Sequence, residues 1–218
     1  EGAVTLVADF MPEVTAAEIA EGVRVAWQQL RAAGVTAWQD ALIGDFGTSP
    51  NPTSGYTSLL SSGELDARVT GALWVPRDVT LATVPETVAA LVRARDQNAA
   101  SGFDTSTAKV MVDGIIENQT AAMHTPYLVE GCDCGADRGL TYFDRELLFA
   151  LTRALVAEGF ALHFHAIGDR AVTDALDAIE QVYRLDKPRF LAARQVDLGR
   201  IAGDDHLGIL AKARQKHL

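Results

Sequence analysis

Cysteine is nearly absent from this chain. Cys132 and Cys134 are the only two among 218 residues, and a single residue separates them. So close a pair gives a strained disulfide, and two thiols build no scaffold. A reducing, cytoplasmic setting is therefore the expectation. A Cys-x-Cys metal site would need a further donor such as Asp133 or His124. Positive charge is scarce as well. There are 19 Lys and Arg against 29 Asp and Glu, a formal net charge of −10. A nucleic-acid surface needs a basic stripe, and an anionic membrane surface attracts the same residues, so neither partner is expected. No apolar run approaches the roughly 20 residues that cross a bilayer. Glu1-Gly2-Ala3-Val4 places no basic stretch ahead of an apolar one, so no signal peptide is expected, although the first residue is not Met. Three motifs are missing too. The chain lacks a Gly-x-Gly-x-x-Gly dinucleotide fingerprint, a Gly-x-x-x-x-Gly-Lys-Ser/Thr phosphate loop and a Gly-x-Ser-x-Gly nucleophile elbow.

What is present is an ordinary globular composition, 48% hydrophobic and 22% charged, enough for one sizeable core. Thr15-Ala16-Ala17-Glu18 is a capping box, and Ile19, Val23, Ala26 and Leu30 follow at helical steps until Gly34. Val35 to Trp38, ending in Gln39-Asp40, has the short apolar run of a buried strand. Residues 44–55 are rich in turn formers and predict a long loop, followed by a short helix over 56–60. Residues 67–75 predict a second strand, stopped by Pro76. Thr83-Val84-Pro85-Glu86 predicts another capping box with proline in the first turn. Lys109 to Gly114 predicts a third strand, and residues 115–142 a loop long enough to carry function. Asp144 should cap the helix through Leu147, Leu148, Leu151 and Leu155. A fourth strand ends in His163-Phe164-His165, and a helix from Arg170 to Val182 follows.

Regular alternation of helix and strand means parallel βα units. Four such units do not close a (β/α)8 barrel, which takes about 250 residues. Two architectures stay open: a doubly wound sheet, or part of a larger barrel with other segments missing.

The His-x-His strand carries the most chemistry. Residues i and i+2 share a face, and strand C-terminal ends are where α/β folds place their sites. His163 and His165 are candidate metal ligands or acid/base groups. Phe164 should point the other way, under the helices. Lys109 opens an otherwise apolar strand. It either snorkels outward at the strand's start or is a desolvated, neutral amine. A neutral amine can add carbon dioxide, which turns a cation into a metal-bridging carboxylate. Asp113, ahead of Gly114, either ends its strand in a turn or belongs to the site; Asp40 offers the same choice. Asp169 either caps the last helix or lines the site. Residues 117–123 are read as a polar loop lining the site.

Several of these stretches together resemble amidohydrolase family 3 of the metal-dependent amidohydrolases. They are Gly34-Val35-Thr36-Ala37-Trp38-Gln39-Asp40, Lys109-Val110-Met111-Val112-Asp113-Gly114, Thr120-Ala121-Ala122-Met123 with Pro126-Tyr127, and His163-Phe164-His165-Ala166-Ile167-Gly168-Asp169-Arg170-Ala171-Val172. The resemblance implies an α/β fold, a partial (β/α)8 TIM barrel containing roughly strands 2 to 5. Residues 1–185 would form the barrel segment, and 186–218 a tail that the motifs do not reach. It implies one or two divalent metals, zinc foremost. Lys109 would be the carboxylated fourth-strand ligand and His165 the fifth-strand ligand. His163, Asp113 and Asp169 would stand in the pocket or behind the ligands. The implied reaction is hydrolysis of a C–N bond, amide-like or in a cyclic amide, through a metal-activated water. The implied partners are a small-molecule substrate and a second copy in a homodimer. The family's first-strand His-x-His is absent here, no eighth-strand Asp can be placed, and His206 is the candidate for the sixth-strand His. A non-catalytic scaffold without a complete metal site is the alternative. A second alternative is an open-sheet enzyme using His163 or His165 as a metal-free base.

Overall fold

The computed structural model describes residues 10–47, 49–128 and 137–191. Cys132, Cys134, His206 and His217 lie outside them. The elements run α1 (Ala16–Ala32), β1 (Ala37–Ile43), α2 (Thr53–Ser62), β2 (Arg68–Trp74), α3 (Val84–Ala100), β3 (Asp104–Met111), α4 (Arg145–Ala157), β4 (Ala161–His165) and α5 (Asp169–Leu185). All three strand pairings are parallel and the spatial order is β1-β2-β3-β4. A doubly wound sheet reverses its order at a switch point. Here every crossover steps to the next neighbour in the same direction, as in a barrel. The fold is α/β, four consecutive units of a (β/α)8 barrel, and the open-sheet alternative is set aside.

Capping chemistry fixes two helix starts as expected. The Thr15 hydroxyl accepts from the Glu18 N–H at 3.3 Å, and the Glu18 carboxylate accepts from the Thr15 N–H at 2.8 Å. Asp144 accepts from the Leu147 N–H at 2.8 Å. The box at Thr83 does not form. Its hydroxyl accepts instead from the Thr80 N–H at 2.9 Å, because the chain already turns at Thr80. The buried stripe of α1 runs through Trp27, stacked on Trp38 with centroids 5.4 Å apart, while Ala26 is exposed. Helix α2 starts three residues before Tyr56, inside the expected loop. The Asn51 side chain satisfies the Thr53 N–H at 3.0 Å and so launches it early.

Two strands also differ from expectation. Strand β1 continues to Ile43, which is buried. Strand β3 starts at Asp104, not Lys109. Thr105 and Thr107 are β-branched strand formers, both buried, and Asn98 of α3 donates its side-chain N–H to the Thr105 hydroxyl at 3.2 Å. A polar start to a strand hid it from an apolar pattern.

The sheet has two unlike faces. Val69, Leu73, Ala108, Val110, Leu162 and Phe164 pack with the helices in one hydrophobic core. Phe164 thus points as expected. The opposite face carries Trp74, Lys109, Met111, His163 and His165, in matched register. No helix among the described residues is long and apolar enough to cross a membrane.

Candidate metal centre

The register of β3 and β4 builds the centre. Lys109 pairs with His163 and Met111 with His165. Paired residues of neighbouring strands share a face, about 4.8 Å apart. Lys109 and the two histidines therefore form one patch at the C-terminal ends of parallel strands, where barrels place their chemistry.

Lys109 lies two residues before the end of β3, so it cannot snorkel out at the strand's start. Only 9% of it is exposed, and its amine makes no hydrogen bond or ion pair with any described residue. Burial pulls its amine below the ordinary lysine range. Burial also lowers His163, and the neighbouring Lys109 charge and His165 add to the effect.

The His165 Nε2 lies 3.0 Å from the Gly114 carbonyl oxygen. A carbonyl only accepts, so Nε2 carries the proton and Nδ1 the lone pair of the neutral ring. One ring nitrogen held by a backbone carbonyl and the other available is the arrangement of a metal-ligating histidine.

Asp113 and Asp169 organise the surrounding loops. Asp113 lies two residues past the end of β3 and is fully buried. Its carboxylate accepts from the backbone N–H groups of Ala122 and Gly168, both at 2.8 Å, and of Ile167 at 3.0 Å. Asp169 is not the cap of its helix. Gly168 takes that position, and Asp169 accepts from the His124 N–H at 2.8 Å. The N-terminal N–H groups of α5 at Arg170 and Ala171 reach the Ala122 carbonyl instead. Gly168 is required there, since a Cβ would stand 2.0 Å from the Ala122 oxygen.

Within 117–123, Glu117, Asn118 and Gln119 are exposed, but Ala121 and Ala122 are fully buried. That half is core rather than polar lining. Asp40 sits inside β1 and accepts from the Tyr56 hydroxyl at 2.9 Å, a strand-to-helix tie away from the patch.

One residue near the patch escapes pattern reading. Arg77 lies just beyond β2, its guanidinium 4.0 Å over the Tyr142 ring and 5.0 Å over Phe46. Its Nη2 is 2.6 Å from the Met111 sulfur, beside His165 in register. The sequence clue was a cation three residues after a strand end, following Pro76.

In donor chemistry, Lys109 as a carbamate and His165 through Nδ1 fit one side of a divalent-metal site. Among the described residues no group of three or more His, Cys, Asp or Glu is placed to hold a metal. Lys109 and His165 alone would fill only part of a ligand set.

Two solved structures share the fold, uncharacterized metal-dependent hydrolases from Pyrococcus horikoshii OT3 and Pyrococcus furiosus. Each is 20% identical, with TM-scores of 0.54 and 0.55 and coverage of 77% and 78% of this chain. The chain spans 31% and 32% of their lengths, about a third. Among curated proteins none matches. The amidohydrolase family pattern matches residues 1–215, past the motif-bearing segment, and with strand order and patch both in keeping, the chain belongs to that family.

Proposed function

We propose that this chain supplies one side of the active centre of a metal-dependent hydrolase. It cleaves a C–N bond in an amide-like or cyclic amide small molecule. The observation that carries this reading is the buried, unpaired Lys109 lying in register beside two histidines at strand C-terminal ends. A buried amine without a counter-charge is driven to the neutral form. Its lone pair then adds to the carbon of carbon dioxide. A new N–C bond forms, the nitrogen loses its proton, and a carbamate anion replaces the cation. Lys109 and His165 would hold the metal, zinc being the best match to imidazole and oxygen donors. When bound, the metal supplies a water acidified toward neutrality and a polarised substrate carbonyl. With Nε2 held by Gly114, Nδ1 would be the nitrogen that His165 offers the metal. His163, held neutral by burial, can accept a proton beside it.

The test is metal content in the full-length protein. His165→Ala and Lys109→Ala should each lose bound zinc by elemental analysis, and 13C-bicarbonate should label Lys109 in the parent. Unchanged zinc in both variants overturns the proposal. A parent that carries neither zinc nor label is the non-catalytic scaffold.

A further inference from the structure

Asp113 is buried and makes no ion pair with any described residue, yet its carboxylate is saturated by three backbone N–H groups. The donors come from two loops on either side of His165. Ala122 belongs to the segment after β3, and Ile167 and Gly168 to the segment after β4. Gly114, the next residue along, presents the carbonyl that His165 Nε2 donates to. That peptide is itself clamped. The Gly114 N–H donates to the Thr120 carbonyl at 3.1 Å, and the Ile115 N–H to the Thr120 hydroxyl at 2.9 Å. Nothing larger than glycine fits at 114, since a Cβ would meet the Thr120 hydroxyl at 2.1 Å.

From these contacts we infer that Asp113 is a positioning residue for His165. By gathering Ala122, Ile167 and Gly168 onto one carboxylate, it fixes both the backbone that follows His165 and the Gly114 carbonyl that selects its tautomer. Nδ1 is thereby left as the lone-pair nitrogen of the ring. What that nitrogen binds rests on the metal reading above; the clamp itself does not. Lysine and the histidines supply the donors, and Asp113 decides which nitrogen is offered. Asparagine cannot do this. Its amide presents N–H where the Ile167 or Gly168 N–H needs an acceptor.

The experiment is ring 15N NMR on the metal-free, full 218-residue chain, above the pH range of histidine titration. The parent should show His165 as a single Nε2–H tautomer with a ring proton slow to exchange with water. In Asp113→Asn the tautomers should mix, and ring-proton exchange should accelerate by about tenfold, the factor that loss of one net hydrogen bond gives. Leu148→Ala, a core variant remote from the clamp, loses stability without either change. A folded Asp113→Asn that keeps the single tautomer and slow exchange overturns the inference, as does a parent ring protonated at Nδ1. If Asp113→Asn does not fold, Asp113→Glu, which keeps the carboxylate but displaces it by one methylene from its three N–H partners, decides by the same two signals. Zinc binding measured in parallel separates the two readings. An intact tautomer switch without zinc leaves the clamp standing and removes the metal.

Discussion

Burial moves both Lys109 and His163 below their ordinary values. That shift has a consequence for stability. Below its lowered native value, the Lys109 amine is protonated in both the native and the unfolded chain, and the native chain bears the full cost of burying a cation. Between that value and the ordinary 10.5, the native amine is neutral while the unfolded one still binds a proton. Stability therefore rises with pH through this window, and above it the penalty is gone. Lys109→Met should accordingly be more stable than the parent at neutral pH, with the gap closing as pH climbs toward 10.5. Urea midpoints across that range, in metal-free buffer stripped of carbon dioxide, measure it. A gap that does not change with pH would show that packing, not charge burial, separates the two proteins. The Lys109 and His165 types were legible because a cation in an apolar run and a His-x-His before a helix are local patterns. The work of Asp113 was not. Its three partners lie 9, 54 and 55 residues away in sequence, and no spacing rule connects an aspartate to backbone N–H groups at such distances.

Among the elements, the helix starts show where side-chain grammar holds and where it yields. Asp144 uses its carboxylate to cap α4, so Asp144→Ala should cost about 1 kcal/mol in chemical denaturation. Leu148, fully buried on the same helix, should cost about 2–5 kcal/mol when cut to alanine. An Asp144→Ala effect near the Leu148→Ala value would mean that the cap holds tertiary structure as well as the helix. Thr83 carries the same sequence signature as Thr15 and does not cap, because a preceding turn at Thr80 claims its hydroxyl. The signature records what a residue can do, and the neighbouring turn decides whether it does. Strand β3 makes the same point from the other side. Apolar patterning found its end from Lys109 onward and missed Asp104 to Ala108, because buried threonines, Thr105 bonded by Asn98 and Thr107 by Gln39, look like loop. The order of elements was legible in full; their edges were set by hydrogen bonds between segments.

For the molecule as a whole, the sheet is asymmetric in a way that the order β1-β2-β3-β4 requires. Each inner strand is paired on both sides, whereas β1 and β4 each pair on one side among the described residues. Burial follows the same gradient. Most of β2 and β3 is buried, all of β4 is half-buried, and Ala37, Gln39 and Ala41 of β1 are exposed. In a closed barrel no strand has an edge, and the face bearing Lys109 and His165 is roofed by strands opposite. Unpaired strand edges are what soluble proteins cover or blunt. Amide hydrogen exchange of the 218-residue chain therefore discriminates between an open and a covered sheet. With these pairings alone, β2 and β3 should be the slowest strands. Alternate amides along the outer edges of β1 and β4 should exchange faster by orders of magnitude, since their N–H groups meet water. If β1 and β4 are as protected as β2 and β3, a further strand lies on each edge. Dilution then identifies its source: protection that falls with concentration comes from a second copy, and protection that does not comes from the chain itself. A strand covering the β4 edge also places new side chains beside His163 and His165, where the rest of the proposed ligand set would come from.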